Sequence, residues 1–256
     1  HRGQTSRVHD LLAEAIDLEA REDEKPTVLD LYGGSGAIAL GLAKAGAHVH
    51  LVESFAPAVE QAKAAANEQN LSLTAEAADV THALRALAES KKTYDAIVVN
   101  PPRRGISAVA RDLLGRISTP KLVYVSCDPD TLTRDLDHLS RLGYVAARLS
   151  PLDMIPLSEE IETVAILTRA APAPPKVVYE DEEIIIVEKA AHEPCTPKGE
   201  YVSSVVERLQ RIKGASRAVP LHRLDIGTSG LLVCAKDPNA APKWTAILSS
   251  PSTRRI

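Results

Sequence analysis

A chain of 256 residues, 45% hydrophobic and 25% charged, holds enough apolar material for one large domain or two smaller ones, and its formal net charge of −4 excludes nucleic-acid binding by overall positive field. Its longest apolar runs are strand-sized, short of the roughly 20 residues that span a bilayer, and no secretory signal is visible. Three cysteines, Cys127, Cys195 and Cys234, lack disulfide or zinc-site spacing, which predicts a reducing, cytoplasmic setting and no metal.

In chain order, periodicity predicts a helix over 8–18, then strands over 27–32, 48–53, 71–76, 94–99, 121–126, 144–149 and 161–168. Helices are predicted between them over 37–45, 58–69, 82–90, 108–117 and 131–142. Alternation of this kind argues an α/β fold, a doubly wound Rossmann-like parallel sheet. The last two strands have no helix between them, so a terminal antiparallel hairpin is expected. A Pro-rich linker over 171–175 separates this domain (1–170) from a second unit over 176–256. There a hairpin (177–179 with 184–188), a helix over 202–212 and a strand after Gly230 predict a partial α+β domain. The first 170 residues carry 18 Lys/Arg against 24 Asp/Glu, the remainder 12 against 10, so RNA recognition would have to rest on local basic groups. A start at His1 and an end at ThrArgArgIle lead us to expect further segments at both ends.

AspLeuTyrGlyGlySerGly (residues 30–36) lies between a strand and a helix. Gly34 and Gly36 let backbone approach a ligand closely, and the helix start favours negative groups. Glu53 ends the next strand, where a carboxylate can accept hydrogen bonds from ribose hydroxyls. The turn lacks the GlyXGlyXXGly spacing of a dinucleotide site, which favours S-adenosylmethionine. Asp79, after the third strand, is placed either to meet an adenine edge or to cap the next helix.

AsnProProArgArgGly (100–105) follows the fourth strand, with Arg103 able to meet a phosphate or a base carbonyl. An AsnProPro loop alone would suit methylation of an exocyclic amine, but the aromatic residue wanted next is replaced by Arg103. LysLeuValTyrValSerCysAspProAspThrLeuThrArgAsp (121–135) then sets Cys127 at the carboxyl end of a strand, where open α/β sheets hold ligands. The arrangement predicts a nucleophile facing a nucleotide-like cofactor.

These three motifs, followed by AspMetIleProLeuSerGluGluIleGlu (153–162), resemble the RNA 5-methyluridine methyltransferase family over residues 1–170. The resemblance implies that Cys127 is the nucleophile and Glu162 the general base, with Glu160 on the same strand as a possible substitute. It implies that Gln4, Tyr32, Glu53 and Asn100 line the site for S-adenosylmethionine, and that the substrate is an unstacked uridine of ribosomal or transfer RNA. Such chemistry needs a thiolate, so nearby cations should lower the Cys127 pKa, with Arg103 and Arg134 the candidates. This chain departs from the family at four places. Asp128 replaces an asparagine and should oppose thiol ionisation. LeuSerGluGlu (157–160) lacks an expected histidine, Gly33 stands where a cysteine is common, and Asn100 where an aspartate is usual.

Beyond the linker, HisArgLeuAspIleGlyThrSerGly (222–230) and the hairpin over 177–189 resemble a large RNA pseudouridine synthase family. The resemblance implies that Asp225 is a catalytic aspartate and Arg223 its orienting partner. That family's later tyrosine and basic residue would lie beyond Ile256, so this portion is expected to be inactive by itself. Two other functions compete with uridine methylation: 5-methylcytosine formation in RNA, which also uses a strand-end cysteine, and non-catalytic binding of cofactor or RNA.

Overall fold

A computed structural model of the chain describes residues 2–16, 25–90, 92–117, 119–153, 161–199 and 201–250. The chain divides into two compact units, His1–Ala171 and Pro172–Ile256.

In the first unit, runs that are apolar without alternation become strands covered on both faces. AlaIleValVal is wholly buried as β4 (Ala96–Val99), and five of six residues are buried in β5 (Lys121–Ser126). With β1 (Thr27–Leu31), β2 (His48–Glu53), β3 (Leu73–Ala77), β6 (Tyr144–Leu152) and β7 (Glu162–Arg169) they form a seven-stranded sheet in the order β3-β2-β1-β4-β5-β7-β6. β1 to β5 are parallel, whereas β7 is antiparallel to both of its neighbours. The predicted terminal hairpin therefore places its second strand inside the sheet, between β5 and β6.

Helices cover both faces. α1 (Arg2–Ile16), α2 (Ala37–Lys44) and α3 (Ala56–Glu68) pack their apolar residues, such as Leu12, Leu42 and Val59, against Val28, Leu51 and Val123. α4 (Val80–Ser90), α5 (Ala108–Arg116) and α6 (Pro129–Arg141) place Leu84, Leu114 and Leu139 against Leu29, Ile97 and Tyr124 on the other face. Several boundaries differ from those predicted because capping decides them. α4 begins at Val80 because the Asp79 carboxylate accepts the His82 N–H at 3.1 Å. α6 begins at Pro129 because Asp128 caps it through Thr131 N–H (2.8 Å), with proline at the first helical position.

The second unit holds a four-stranded antiparallel sheet, β10-β11-β9-β8, made from β8 (Val177–Glu180), β9 (Ile184–Lys189), β10 (Val219–Pro220) and β11 (Gly230–Ala235). The helix expected over 202–212 is a shorter α7 (Val205–Leu209). Ser204 stops it at the front, its hydroxyl accepting Glu207 N–H (3.3 Å) and donating to the Glu207 carboxylate (2.7 Å), a reciprocal cap. α8 (Ala241–Ser249) was not predicted. Among the described residues, no helix is long and apolar enough to cross a membrane, and no group of three His, Cys, Asp or Glu side chains could hold a metal.

Candidate active site

Strand order reverses between β1 and β4, so the loops that follow these strands leave the sheet in opposite directions and open a crevice at its carboxyl edge. In the turn after β1, Tyr32 (φ +60°), Gly34 (φ +54°) and Gly36 (φ +87°) all adopt left-handed backbone. A side chain at Gly34 would meet nothing within 4 Å, so the turn presents bare backbone to open space. The Gly34 N–H donates to Glu53 Oε2 at 3.1 Å, joining the ends of β1 and β2. Burial by itself would raise the Glu53 carboxyl, but hydrogen bonds from Phe55 N–H, the Ser54 hydroxyl and Gly34 N–H outweigh it and hold the group below the ordinary glutamate range.

Beneath the turn, Asp30 is fully buried and neither carboxyl oxygen has a well-formed protein hydrogen bond. Burial pushes it up to about 7, with the Ala39 amide opposing and Glu53 adding. The Tyr32 hydroxyl is pushed up to about 12 by burial first, then by Asp79, against the opposing charge of Arg104. Tyr32 thus lies among Asp79 and the loop after β4, and the exposed Asn100 joins it there through its N–H to Leu31 O (3.2 Å). Asp79 takes the capping role through one oxygen. The Gln4 side chain and Glu160 lie outside the described residues.

Cys127 follows β5 as a half-buried free thiol. The Ser126 hydroxyl shapes its turn, donating to Asp128 O (3.0 Å) and accepting from Asp128 N–H (3.2 Å). The ladder between β5 and β7 pairs Ser126 with Thr163, so Glu162, the first residue of β7, stands across from Cys127. The expected low thiol pKa is not what the structure shows. Burial raises it, the Glu162 charge raises it further, Arg103 opposes both, and Asp128 adds least. The acidic neighbour that matters most is therefore Glu162, across the ladder, and not the adjacent Asp128, whose carboxylate is turned to the start of α6. Burial likewise raises the Glu162 carboxyl.

Arg134 does not act as the predicted second cation at the thiol. Its guanidinium is bound to Asp135 Oδ1 (Nε 2.9 Å, Nη2 2.8 Å) and to Arg104 O (2.9 Å). Asp135 is fully buried and also receives Ile106 N–H (2.7 Å), the Tyr124 hydroxyl (2.7 Å) and Arg111. Asp135 closes the Cys127 motif, but reading the sequence assigned it no role, because Arg111 and Ile106, two of its partners, come from α5 and the loop after β4.

In the second unit, Arg223 and Asp225 are exposed and line one cavity of about 520 Å³ with Cys195 and Lys198. Among the described residues no ion pair joins Arg223 to Asp225. The loop is held from behind instead. The buried Lys189 ammonium donates to the carbonyls of Ala190 (2.8 Å), Ile226 (3.2 Å) and Thr228 (2.6 Å), while Cys195 Sγ meets Leu224 N and O at 3.3 and 3.4 Å. A Lys and a Cys this far upstream carried no signal of that task in the sequence.

Residues 183–255 match the RNA pseudouridylate synthase family model. Among relatives, an uncharacterised RNA methyltransferase of Geobacter sulfurreducens is 38% identical over 149 residues, 58% of this chain and 30% of its own length. Another, from Listeria innocua, is 37% identical over 159 residues, 62% of this chain and 35% of its own. The chain spans about a third of the length of these relatives. Among solved structures, the Pyrococcus abyssi tRNA (uracil-54, C5)-methyltransferase in complex with S-adenosyl-L-homocysteine is similar at 27% identity and a TM-score of 0.53, over 64% of this chain and 38% of that one. Residues 7–170 match the family model of tRNA (uracil-5-)-methyltransferase, and on that match, which covers more than half of the chain, the protein belongs to this family.

Proposed function

We propose that the first unit methylates carbon 5 of a uridine in ribosomal or transfer RNA, with Cys127 as nucleophile and Glu162 as base. The observation that carries this reading is the register of β5 and β7, which sets a half-buried thiol across from a half-buried carboxyl at the edge where the glycine turn opens. The residues suit S-adenosylmethionine: Gly34 offers bare backbone with open space above it, and Glu53 is held ionised at the end of β2, where it can accept from ribose hydroxyls. Tyr32, Gly36, Asp79 and Asn100 surround the same crevice, and Gln4 is assigned to it by family resemblance. When bound, S-adenosylmethionine supplies an electrophilic methyl group.

Carbon 5 of uracil is a weak nucleophile. The Cys127 thiolate forms a bond to carbon 6, and the electron pair displaced from the 5,6 double bond makes carbon 5 an enolate terminus able to take a methyl group. Glu162 then removes the carbon 5 proton; the electron pair of that carbon–hydrogen bond restores the 5,6 double bond, the bond between sulfur and carbon 6 breaks with its pair leaving on sulfur, and the thiolate returns. A carboxyl whose pKa is raised by burial is a better proton acceptor than a solvated one. Arg103 favours the thiolate electrostatically and is placed to meet a phosphate or a base carbonyl.

RNA containing 5-fluorouridine tests the reading, because fluorine cannot leave as a proton and the adduct persists. With S-adenosylmethionine present, the protein should form an RNA adduct stable to denaturation, and Cys127→Ala should form none. An adduct retained in Cys127→Ala would overturn the assignment. For the second unit, the family match supports Asp225 as the residue that would act on a uridine. Tritium release from [5-³H]uridine RNA without S-adenosylmethionine, in Cys127→Ala compared with Cys127→Ala/Asp225→Asn, measures whether it does so.

A further inference from the structure

The loop that carries Arg103 is tied to the start of α6 by bonds to three of its residues. Thr131 Oγ1 donates to Arg103 O at 2.9 Å, Arg134 Nη2 donates to Arg104 O at 2.9 Å, and Ile106 N–H donates to Asp135 Oδ2 at 2.7 Å. Gly105, between them, has φ +71°, and a Cβ there would come within 2.5 Å of Asp135 Oδ2 and 2.6 Å of Arg134 Nη2. The loop backbone is thus pressed against these side chains with no room for another atom. The helix that grips it begins two residues after Cys127, so the thiol and Arg103 are carried by adjoining parts of one clamp.

Stability alone is a poor explanation for this construction. Asp135 and Arg111 are both buried, and burying such charges costs several kcal/mol that an apolar core of the same volume would not. What the network provides is direction, because each bond fixes a different peptide of the loop. We propose that Thr131, Arg134 and Asp135 are positioning residues that hold the backbone of the Arg103 loop against the start of α6, next to the turn that carries Cys127, and so set where the Arg103 side chain starts toward the thiol. The inference rests on the reading of Cys127 as nucleophile, and its consequence is that thiol acidity depends on a hydroxyl and a guanidinium that need not touch the sulfur.

The test is the pH profile of iodoacetamide alkylation at Cys127 in the full chain, read peptide by peptide so that Cys195 and Cys234 do not interfere. It needs neither RNA nor methyl donor, so a shifted profile in a protein that fails to methylate would overturn the proposed function and leave the clamp standing. Thr131→Val keeps the side-chain shape and removes the donor; Arg134→Met removes the grip on Arg104. Each should move the profile to higher pH and slow alkylation about threefold near neutral pH, as Arg103→Met should directly. Thr131→Ser should restore the native profile, and Thr131→Val should add nothing in an Arg103→Met background. A native profile in Thr131→Val and Arg134→Met, no effect of Arg103→Met, or additive effects in the double variant would each overturn the proposal. Circular dichroism of Thr131→Val guards against a folding artefact, and Thr131→Ser provides the conservative rescue.

Discussion

Glu162 faces Cys127 because β7 runs antiparallel to β5, so that the first residue of one strand meets the residue just past the end of the other. The pairing sets an opposition: the carboxylate proposed to remove the carbon 5 proton also disfavours the thiolate proposed to start the reaction. Glu162→Gln should therefore move the alkylation profile of Cys127 to lower pH, speeding modification near neutral pH by about two- to fivefold. The same variant should accumulate an adduct with ordinary uridine RNA, seen as a slow band on denaturing gels. An unchanged alkylation profile would show that the two groups do not interact.

Asp128, adjacent in sequence, should matter less to the thiol. Its carboxylate caps α6, and asparagine caps about as well. Asp128→Asn should shift the Cys127 profile less than Glu162→Gln does. Asp128→Ala should lose about 1 kcal/mol of stability in urea titrations through the missing cap.

Asp30 gives the first unit a pH dependence of unusual sign. Burial raises its carboxyl from 3.8 to about 7, so between these values the native chain keeps a proton that the unfolded chain releases. Its contribution to stability is present in full below about 4 and is lost as pH rises through about 7, a change on the order of 4 kcal/mol across the window. Asp30→Asn should flatten that part of the stability–pH curve measured by urea unfolding. An unchanged slope would mean that Asp30 is ionised in the native state.

Gly33 and Leu51 are complementary in shape. A Cβ at position 33 would lie 2.6 and 2.7 Å from side-chain carbons of the fully buried Leu51. Gly33→Ala should cost about 1–3 kcal/mol by overpacking. In a Leu51→Ala background the same change should cost less, and the double-mutant cycle measures the coupling. Equal costs in both backgrounds would place the strain elsewhere.

In the second unit, Glu193 and Arg208 form a buried pair at 2.6 Å. Glu193→Ala strands a buried guanidinium and should cost about 3–5 kcal/mol, whereas replacing both residues by apolar ones should cost much less. Proteolytic susceptibility of the second unit reports the difference.

The sheet, its helices and the positions of Gly34, Glu53 and Cys127 were legible because each rests on local signals: unbroken apolar runs, turn glycines, and a strand that stops at SerCysAspPro. Helix starts were less legible. The Asp79 cap of α4 was one of two roles the sequence offered, but the Asp128 cap that brings Pro129 into α6 was not, because a capping aspartate looks like any other polar residue in a loop. Arg134 was misassigned for a related reason, since its charge is evident in the sequence and its commitment to Asp135 is not.

The amino-acid sequence by itself determined the layered α/β architecture, the family motifs and the presence of a thiol at the sheet edge, because these depend on residue type and short-range spacing. Only the tertiary structure decided which charges act on that thiol. Coulombic and hydrogen-bonding forces follow distance in space, and the antiparallel insertion of β7 brings Glu162 across from Cys127 while the fold of α6 onto the loop after β4 ties Arg134 to Asp135 and Arg104.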